Sequence, residues 1–493
     1  MEGLLENAAC NRDKREPWVE LAAELKRRGD VRGELADVQL ALEDARGTTF
    51  RELLFAEERL LNERSDELWG PLAQVGPMHP GSFHWRRGFL DSILVPGVSV
   101  ILHQGQRTRE EPLPRELFAR ALEHDVGRLA RYVMGARKPK RAPTWTEEFG
   151  ATQMVLTRDV MALPLLRGLW VWTLVAGVPL VHPTLERATL PCTGPTLGLL
   201  EAAQLPALKQ LTLTRVAEAR EGLARLAQAV SKLTPDHVSL GLQGPYGPRA
   251  WTPDDLRALE PIADRIEALD LRLPIPSIDF QLPRLRRLTL ALTTSHGVVG
   301  SGAPLPALPP VEELHVSLRG GGGAAAPVGA LRDSAALHSA RVLHLEADDR
   351  FVAEIAAKPL PRLEELAVIT MGLRHLDFSD AVFAKDSFPN VRTVSIGATE
   401  QLPGLVSSPL ADRIETLSIH LMNAKAVSAW LDVREKLPGL RTLVVRGMRA
   451  FDAATRASLY DAGHEVIWAR SNSEAHREVQ EGRRTEPGFP VRF

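Results

Sequence analysis

The feature that most constrains this chain is a six-residue pattern, L-x-x-L-x-L, that returns about a dozen times across its last two thirds. Clear copies are Leu208, Leu211, Leu213; Leu285, Leu288, Leu290; Val311, Leu314, Val316; Leu363, Leu366, Val368; Val391, Val394, Ile396; and Leu440, Leu443, Val445. The same kind of dipeptide precedes each at a constant offset: Leu205-Pro206, Leu282-Pro283, Leu308-Pro309, Leu360-Pro361, Phe388-Pro389 and Leu437-Pro438. Weaker copies fill the gaps at Leu166, Leu169, Val171; Leu185, Ala188, Leu190; His237, Leu240, Leu242; Ile266, Leu269, Leu271; Ala340, Leu343, Leu345; and Ile414, Leu417, Ile419. First positions then fall 19 to 29 residues apart. A motif at that period describes a stack of like units rather than one globular core.

The last two apolar positions of each copy are two residues apart, so on a strand they point to one side while the residue between them points to the other. One copy cannot bury its apolar side. Stacked copies merge those sides into a continuous core, with parallel strands and return segments covering the outside. Some returns have helical spacing. Leu223, Leu226, Val230 and Leu233 form one stripe, and Thr252-Pro253-Asp254-Asp255 supplies a cap, a first-turn proline and acidic residues ahead of Leu256, Leu259 and Ile262. Gly320 to Gly323, followed by Ala324, Ala325, Ala326 and Pro327, predicts a surface loop instead.

The N-terminal segment follows a helical period. Trp18, Leu21 and Leu25 share a face that ends at Gly29; Asp30 then caps a helix with Leu35, Val38 and Leu42 inward. Thr49 and Glu52 have capping-box spacing before Leu53, Leu54, Leu60 and Leu61, which makes three helices.

The repeat resembles the leucine-rich-repeat family over about residues 160 to 446. The run Trp18, Leu21, Leu25, Arg28-Gly29-Asp30, Arg32-Gly33-Glu34, Gln39-Leu40 resembles the short repeat-companion domain that some bacterial proteins carry ahead of such repeats. Trp69-Gly70-Pro71-Leu72 and Trp85-Arg86-Arg87-Gly88-Phe89 resemble the segment that follows it. The resemblance implies an α/β fold, a leucine-rich-repeat solenoid with parallel strands on the concave face of a horseshoe, preceded by a small helical domain. The Asn or Cys usual after the second strand leucine is missing, with Thr193, Val216, Thr293 and Arg319 in its place, so the implied horseshoe is irregular. The predicted organisation is a helical domain over 1–75, a connecting region with a basic linker over 76–159, the solenoid with its C-terminal cap over 160–468, and a mobile tail over 469–493.

Composition narrows the setting. Sixty basic and 62 acidic side chains nearly cancel, so no global charge attracts nucleic acid or anionic lipid. Two cysteines, Cys10 and Cys192, provide neither a disulfide framework nor a zinc pair. The first thirty residues are too charged for a secretory signal, which points to the cytoplasm. Val160 to Val181 carries only one charge, Arg167, but Pro164 and Pro179 interrupt it and it fits the repeat better than a membrane span.

The middle residue of each strand pattern predicts the exposed face: Trp170, Thr189, Thr212, Gly241, Asp270, Thr289, His315, His344, Ala367, Ser395, Ser418 and Val444. Trp170 and Trp172 are candidate anchors at its N-terminal end. The protein-binding set is Trp170, Trp172, Thr212, Asp270, Thr289, His315, His344, Glu346, Ser395 and Ser418. His315 and His344 fall on neighbouring strands with Glu313 and Glu346 on the same side, a set that could hold a divalent metal or do acid–base work. Arg137, Lys138, Lys140 and Arg141 end a basic run from Arg128 that could meet phosphates, although no aromatic interleaving provides base stacking. Arg28-Gly29-Asp30 reads as a helix stop beside a helix cap, and Gln39 as a partner for a backbone group. His464-Glu465 lacks the second histidine of H-E-x-x-H; there is no G-x-S-x-G and no P-loop.

The sequence therefore favours a non-enzymatic scaffold that binds another protein, with no cofactor. The alternative is metal-dependent or hydrolytic chemistry at the His/Glu set, and a weaker one is nucleic-acid binding through the basic linker.

Overall fold

The computed structural model describes residues 1–73, 83–94, 100–103, 106–109, 124–134, 145–151, 154–155, 158–171, 174–175, 178–217, 220–242, 252–272, 278–292, 306–318, 328–347, 349–370, 387–421, 424–446, 453–461 and 464–469. The architecture is α/β, dominated by one open 17-stranded sheet that is parallel except at its first edge. Its strands are β1 (Phe83–Arg86), β2 (Phe89–Leu94), β3 (Tyr132–Met134), β4 (Glu148–Ala151), β5 (Gly168–Val171), β6 (Arg187–Pro191), β7 (Gln210–Val216), β8 (His237–Leu242), β9 (Ile266–Arg272), β10 (Arg287–Ala291), β11 (Glu313–Ser317), β12 (Val342–Ala347), β13 (Glu365–Thr370), β14 (Thr393–Ile396), β15 (Thr416–His420), β16 (Thr442–Arg446) and β17 (Glu465–Ala469). Each pairs with its neighbours in sequence. The pairing is antiparallel for β1–β2 and parallel from β2–β3 through β16–β17.

All twelve copies of the repeat are strands, β5 to β16, and their paired apolar residues are buried on one side. Leu269, Leu288, Leu314, Leu343, Leu366, Val394, Leu417 and Leu443 form one continuous register row of that core. The residues just ahead of the strands extend the ladder: Glu313 N–H donates to the Arg286 carbonyl, Val342 to Glu312, Glu365 to Arg341 and Thr393 to Glu364. Each copy thus supplies acceptors to the first strand residue of the next copy before its own strand has begun.

The sheet starts well before the boundary read at residue 160, because β1 to β4 belong to it. The inward positions at β2, β3 and β4 are Leu90 and Ile93, Ala130 and Val133, and Thr146 and Phe149, all buried. They repeat the L-x-x-L spacing with Ala and Thr standing where leucine marks the later copies; Thr146 satisfies its hydroxyl on the Ala130 carbonyl at 3.1 Å. A second departure lies at β8. Against β9 its register follows the repeat, with Leu240 opposite Leu269, but against β7 it is displaced by two residues, so Thr212 faces Ser239 rather than Gly241. A two-residue shift preserves which side each residue faces, whereas a one-residue shift would expose the core.

Five helices precede the sheet: α1 (Glu2–Cys10), α2 (Glu16–Arg27), α3 (Val31–Asp44), α4 (Gly47–Glu63) and α5 (Ser65–Trp69). Gly29, at φ 72°, ends the α2 segment, and the Asp30 carboxylate accepts from Arg32 N–H at 3.0 Å to cap α3. The Thr49 capping box does not form, because α4 begins two residues earlier at Gly47 and takes Thr49 into its first turn. Gln39 serves the chain internally: its Oε1 accepts from Gly88 N–H at 2.8 Å and its Nε2 donates to Glu57 at 3.0 Å. Gly88 is obligatory there, since its φ is 82° and a Cβ would sit 2.3 Å from the Arg32 carbonyl oxygen. Later returns include α6 (Arg220–Leu233), as its stripe predicts, and α7 (Ala453–Tyr460); the Thr252 box closes on Asp255. The segment from Val160 contributes a short helix and β5, and among the described residues no helix is long and apolar enough to cross a membrane. The glycine-rich 320–327 stretch and residues 470–493 lie outside the described residues.

The helices touch both ends of the sheet. Trp18, Leu21 and Leu25 of α2 and Ala36 and Leu40 of α3 pack with Phe89, Leu129 and Trp145, while Phe50 and Leu54 of α4 pack with Ala453 and Ala457 of α7. Phe50 meets Tyr460 edge-on with centroids 4.7 Å apart, Glu57 accepts from Arg456 at 3.0 Å, and Arg51 pairs with Asp461. Flat, seventeen strands at about 4.8 Å spacing would hold the edges roughly 75 Å apart. The α4 helix spans only about 25 Å. The sheet therefore bends until one helical layer reaches both ends.

Buried arginines anchor the first end. Arg12 donates to the Ala9 carbonyl at 3.0 Å and the Leu129 carbonyl at 2.8 Å, Arg87 clamps Glu43 at 2.7 and 3.0 Å, and Arg131 clamps Asp91 at 2.6 and 2.8 Å between β2 and β3. Burial pushes the Asp91 pKa up, but the Arg131 guanidinium outweighs it and holds the carboxyl well below its ordinary value of 3.8. A depressed folded-state pKa contributes stability above the ordinary value that is lost as pH falls below it. Two outcomes follow. Arg131→Met alone, leaving a buried unpaired carboxylate, costs about 3–5 kcal/mol in urea unfolding. The Asp91→Asn/Arg131→Met double variant loses less stability than the native chain between pH 5 and pH 3; identical acid profiles would contradict this.

Candidate functional site

The candidate surface is the side of the sheet that faces away from the leucine core. Parallel register builds it as rows running across the strands. One row is Gly150, Trp170, Thr189, Thr212 and Ser239, and the next is Gly241, Asp270, Thr289, His315, His344, Ala367, Ser395, Ser418 and Val444. Sequence spacing predicted this ordering apart from the two-residue step at β8.

The face changes character along its length. At β4 to β7 it is open, and Trp170 is 40% exposed. A groove of about 220 Å³ surrounds it, lined by Glu148, Gly150, Gly168, Arg187, Thr189, Gln210 and Thr212. Gly168 gives the groove its shape. It lies between Glu148 and Arg187 in the register, and a Cβ there would come within 3.0 Å of the Glu148 side chain. Without one, Glu148 reaches over Gly168 to pair with Arg187. The groove thus combines an indole face, an ion pair at its rim and the polar ends of Gln210, Thr189 and Thr212. Glu148, Arg187 and Gln210 escaped the sequence reading because they precede the middle position of their strands by two residues; the alternation rule places them on the same side.

Asp270, Thr289, His315 and His344 occupy consecutive strands in one row and are all half-buried. The two imidazoles stack, with centroids 4.1 Å apart and planes inclined by 21°. The Glu313 carboxylate lies 4.0 Å from His315 Nε2. Glu346 accepts from the Ser317 hydroxyl at 2.8 Å. The Glu365 carboxylate, on the following strand, lies 3.5 Å from His344 Nε2. Imidazole lone pairs lie in the ring plane, so nearly parallel rings this close send them along nearly parallel lines, whereas a metal about 2 Å from both nitrogens needs them to converge. Among the described residues no group of three or more His, Cys, Asp or Glu side chains is placed to hold a metal ion.

At β13 to β16 the face closes. Ser395 and Ser418 are only 3% and 4% exposed, so neither is a contact surface, contrary to the sequence expectation. Their side chains are short, and Arg446 of β16 reaches across β15 to the Ile396 carbonyl of β14, covering this part of the sheet. Trp172, Arg137, Lys138, Lys140 and Arg141 lie outside the described residues. The two described arginines of the basic run are engaged: Arg131 with Asp91, and Arg128 with Glu2 at 2.5 Å and Asp125 at 3.1 Å.

Elemental analysis of protein equilibrated with zinc and then dialysed should find no stoichiometric metal held at the histidine pair. One zinc per chain that disappears in His344→Ala would contradict the stacked geometry.

No protein-family model matches the chain, and no curated protein matches it significantly.

Proposed function

We propose that this chain is a leucine-rich-repeat solenoid that acts as a non-enzymatic binding scaffold for another protein. Twelve motif copies stacked in sequence order as parallel strands support the solenoid reading. On the same reading, α1 to α5 are the repeat-companion domain. Free thiols at Cys10 and Cys192 fit a reducing compartment such as the cytoplasm.

The observation that carries the binding reading is the exposed Trp170 in its groove. A large aromatic held rigidly on a strand loses little conformational freedom on binding, and such residues dominate the energetics of protein interfaces. The partner presents an apolar side chain to the indole and backbone amides to Glu148, Gln210, Thr189 and Thr212. Arg187 is held by Glu148, which keeps the rim polar without leaving a loose charge. The half-buried row from Asp270 to His344 extends the contact across several strands.

Co-purification of tagged chain from its native host tests the reading. Trp170→Ala should weaken the partner's dissociation constant about thirtyfold, from a loss of about 2 kcal/mol. Thr212→Arg should block the groove with a similar effect. Both variants should retain native thermal stability, because each replaces a side chain that is not fully buried. A partner retained at native affinity by both variants would refute the proposal.

A further inference from the structure

Among the described residues four arginines are buried, and three have carboxylates: Arg12 lies 3.3 Å from Glu147, Arg87 lies 2.7 Å from Glu43 and Arg131 lies 2.6 Å from Asp91. Arg446 is the exception. It is 6% exposed, and among the described residues its guanidinium makes one hydrogen bond, from Nη2 to the Ile396 carbonyl, while its Nε has no acceptor. Among the described residues no Asp or Glu pairs with it. Burial lowers its pKa to about 10, and no acidic side chain among the described residues raises it. An unpaired cation in such a place is among the costliest features a fold can carry.

Its surroundings supply more donors. His420 lies beside Arg446 in register on β15 and on the same side of the sheet, and Ser418 is two residues earlier on that side. The Ser418 hydroxyl is buried without a hydrogen-bond partner. His420 is pushed towards its neutral form by burial and by the Arg446 charge, which leaves one ring N–H as a donor. Just beyond β14, Gln401 Oε1 accepts from Gly397 N–H at 2.8 Å, while its buried Nε2 has no acceptor. The buried polar atoms without partners here are two N–H donors, Arg446 Nε and Gln401 Nε2, and the Ser418 hydroxyl. They gather towards the carboxyl ends of β14 to β16.

We propose that Arg446, His420 and Ser418 form a binding site for a small oxyanion, a phosphate or carboxylate group, at the carboxyl ends of β14 to β16. The planar guanidinium offers paired N–H groups that match two oxygens of such an anion. The Ser418 hydroxyl and the His420 N–H supply further hydrogen bonds. The site is separate from the Trp170 groove and does not depend on the protein-binding proposal.

Thermal unfolding of the full chain at pH 7 tests it, with sodium phosphate, sodium acetate and, as the ionic-strength control, sodium chloride. Phosphate or acetate should raise the midpoint saturably above the chloride control, by about 2–3 °C at a hundredfold excess over the dissociation constant. A response to phosphate alone assigns a phosphate group, and an equal response to acetate assigns a carboxylate. Arg446→Met should abolish the excess response and melt no lower than the native chain without added anion, since it removes an unpaired buried charge. Native protein that responds no more than to chloride, or Arg446→Met that responds like native, would overturn the site. If Arg446→Met does not fold, calorimetric titration of native and Ser418→Ala proteins with inorganic phosphate and acetate decides. One site per chain, weakened at least threefold by the substitution, supports the proposal; no binding, or unchanged affinity, overturns it.

Discussion

Between β2 and β17, each strand satisfies its backbone donors and acceptors on the strands that precede and follow it in sequence, and the rest of the structure depends on that ladder. Inner strands have no other source of partners, and a buried amide left without one is expensive. The leucine pattern selects the register, because displacement by one residue would turn every apolar side chain of a strand outward. Displacement by two is tolerated, and β8 uses it between β7 and β9. The same register that buries Leu314 and Leu343 aligns His315 with His344, so core and face are two consequences of one arrangement.

A stack of this kind has two ends, and ends are where parallel sheets invite unwanted pairing. Here one helical layer attends to both. Its contacts at the first end are rich in buried charge, with Arg12, Arg87 and Arg131 tying loops and strands together through carboxylates and carbonyls. At the last end, α4 offers Phe50, Leu54 and the fully buried Glu57, whose carboxylate is shared by Gln39 and Arg456. Networks in which every member has a partner favour a single arrangement over its alternatives. The outward face has two regions, an open one around Trp170 and a covered one around Ser418.

Much of the fold was legible because burial in a stacked sheet leaves a periodic record. Leucine triples marked β5 to β16, and the alternation within them marked Trp170, Thr212, Thr289 and His315 as facing outward. The record thinned wherever packing was met by other chemistry. Ala130 and Thr146 fill inward positions as well as leucine does next to the helices, so β3 and β4 carried no leucine signature. Ser395 and Ser418 obey the alternation rule and are nonetheless buried, since direction from a strand says nothing about what lies above it. Glu365, Arg187 and Arg446 became visible only through register, which sets side chains from neighbouring copies together across twenty or more residues. Contacts between α4 and α7 join segments about 400 residues apart and left no local pattern at all.

A single ladder of parallel strands bends until the helices hold both of its ends. Spin labels at the exposed positions Arg59 of α4 and Ala454 of α7 measure that closure directly by pulsed electron paramagnetic resonance. With α4 packed on α7, one narrow distance distribution centred below about 30 Å is expected. A distribution centred near 60 Å or beyond, the separation that an unbent sheet imposes, would contradict it.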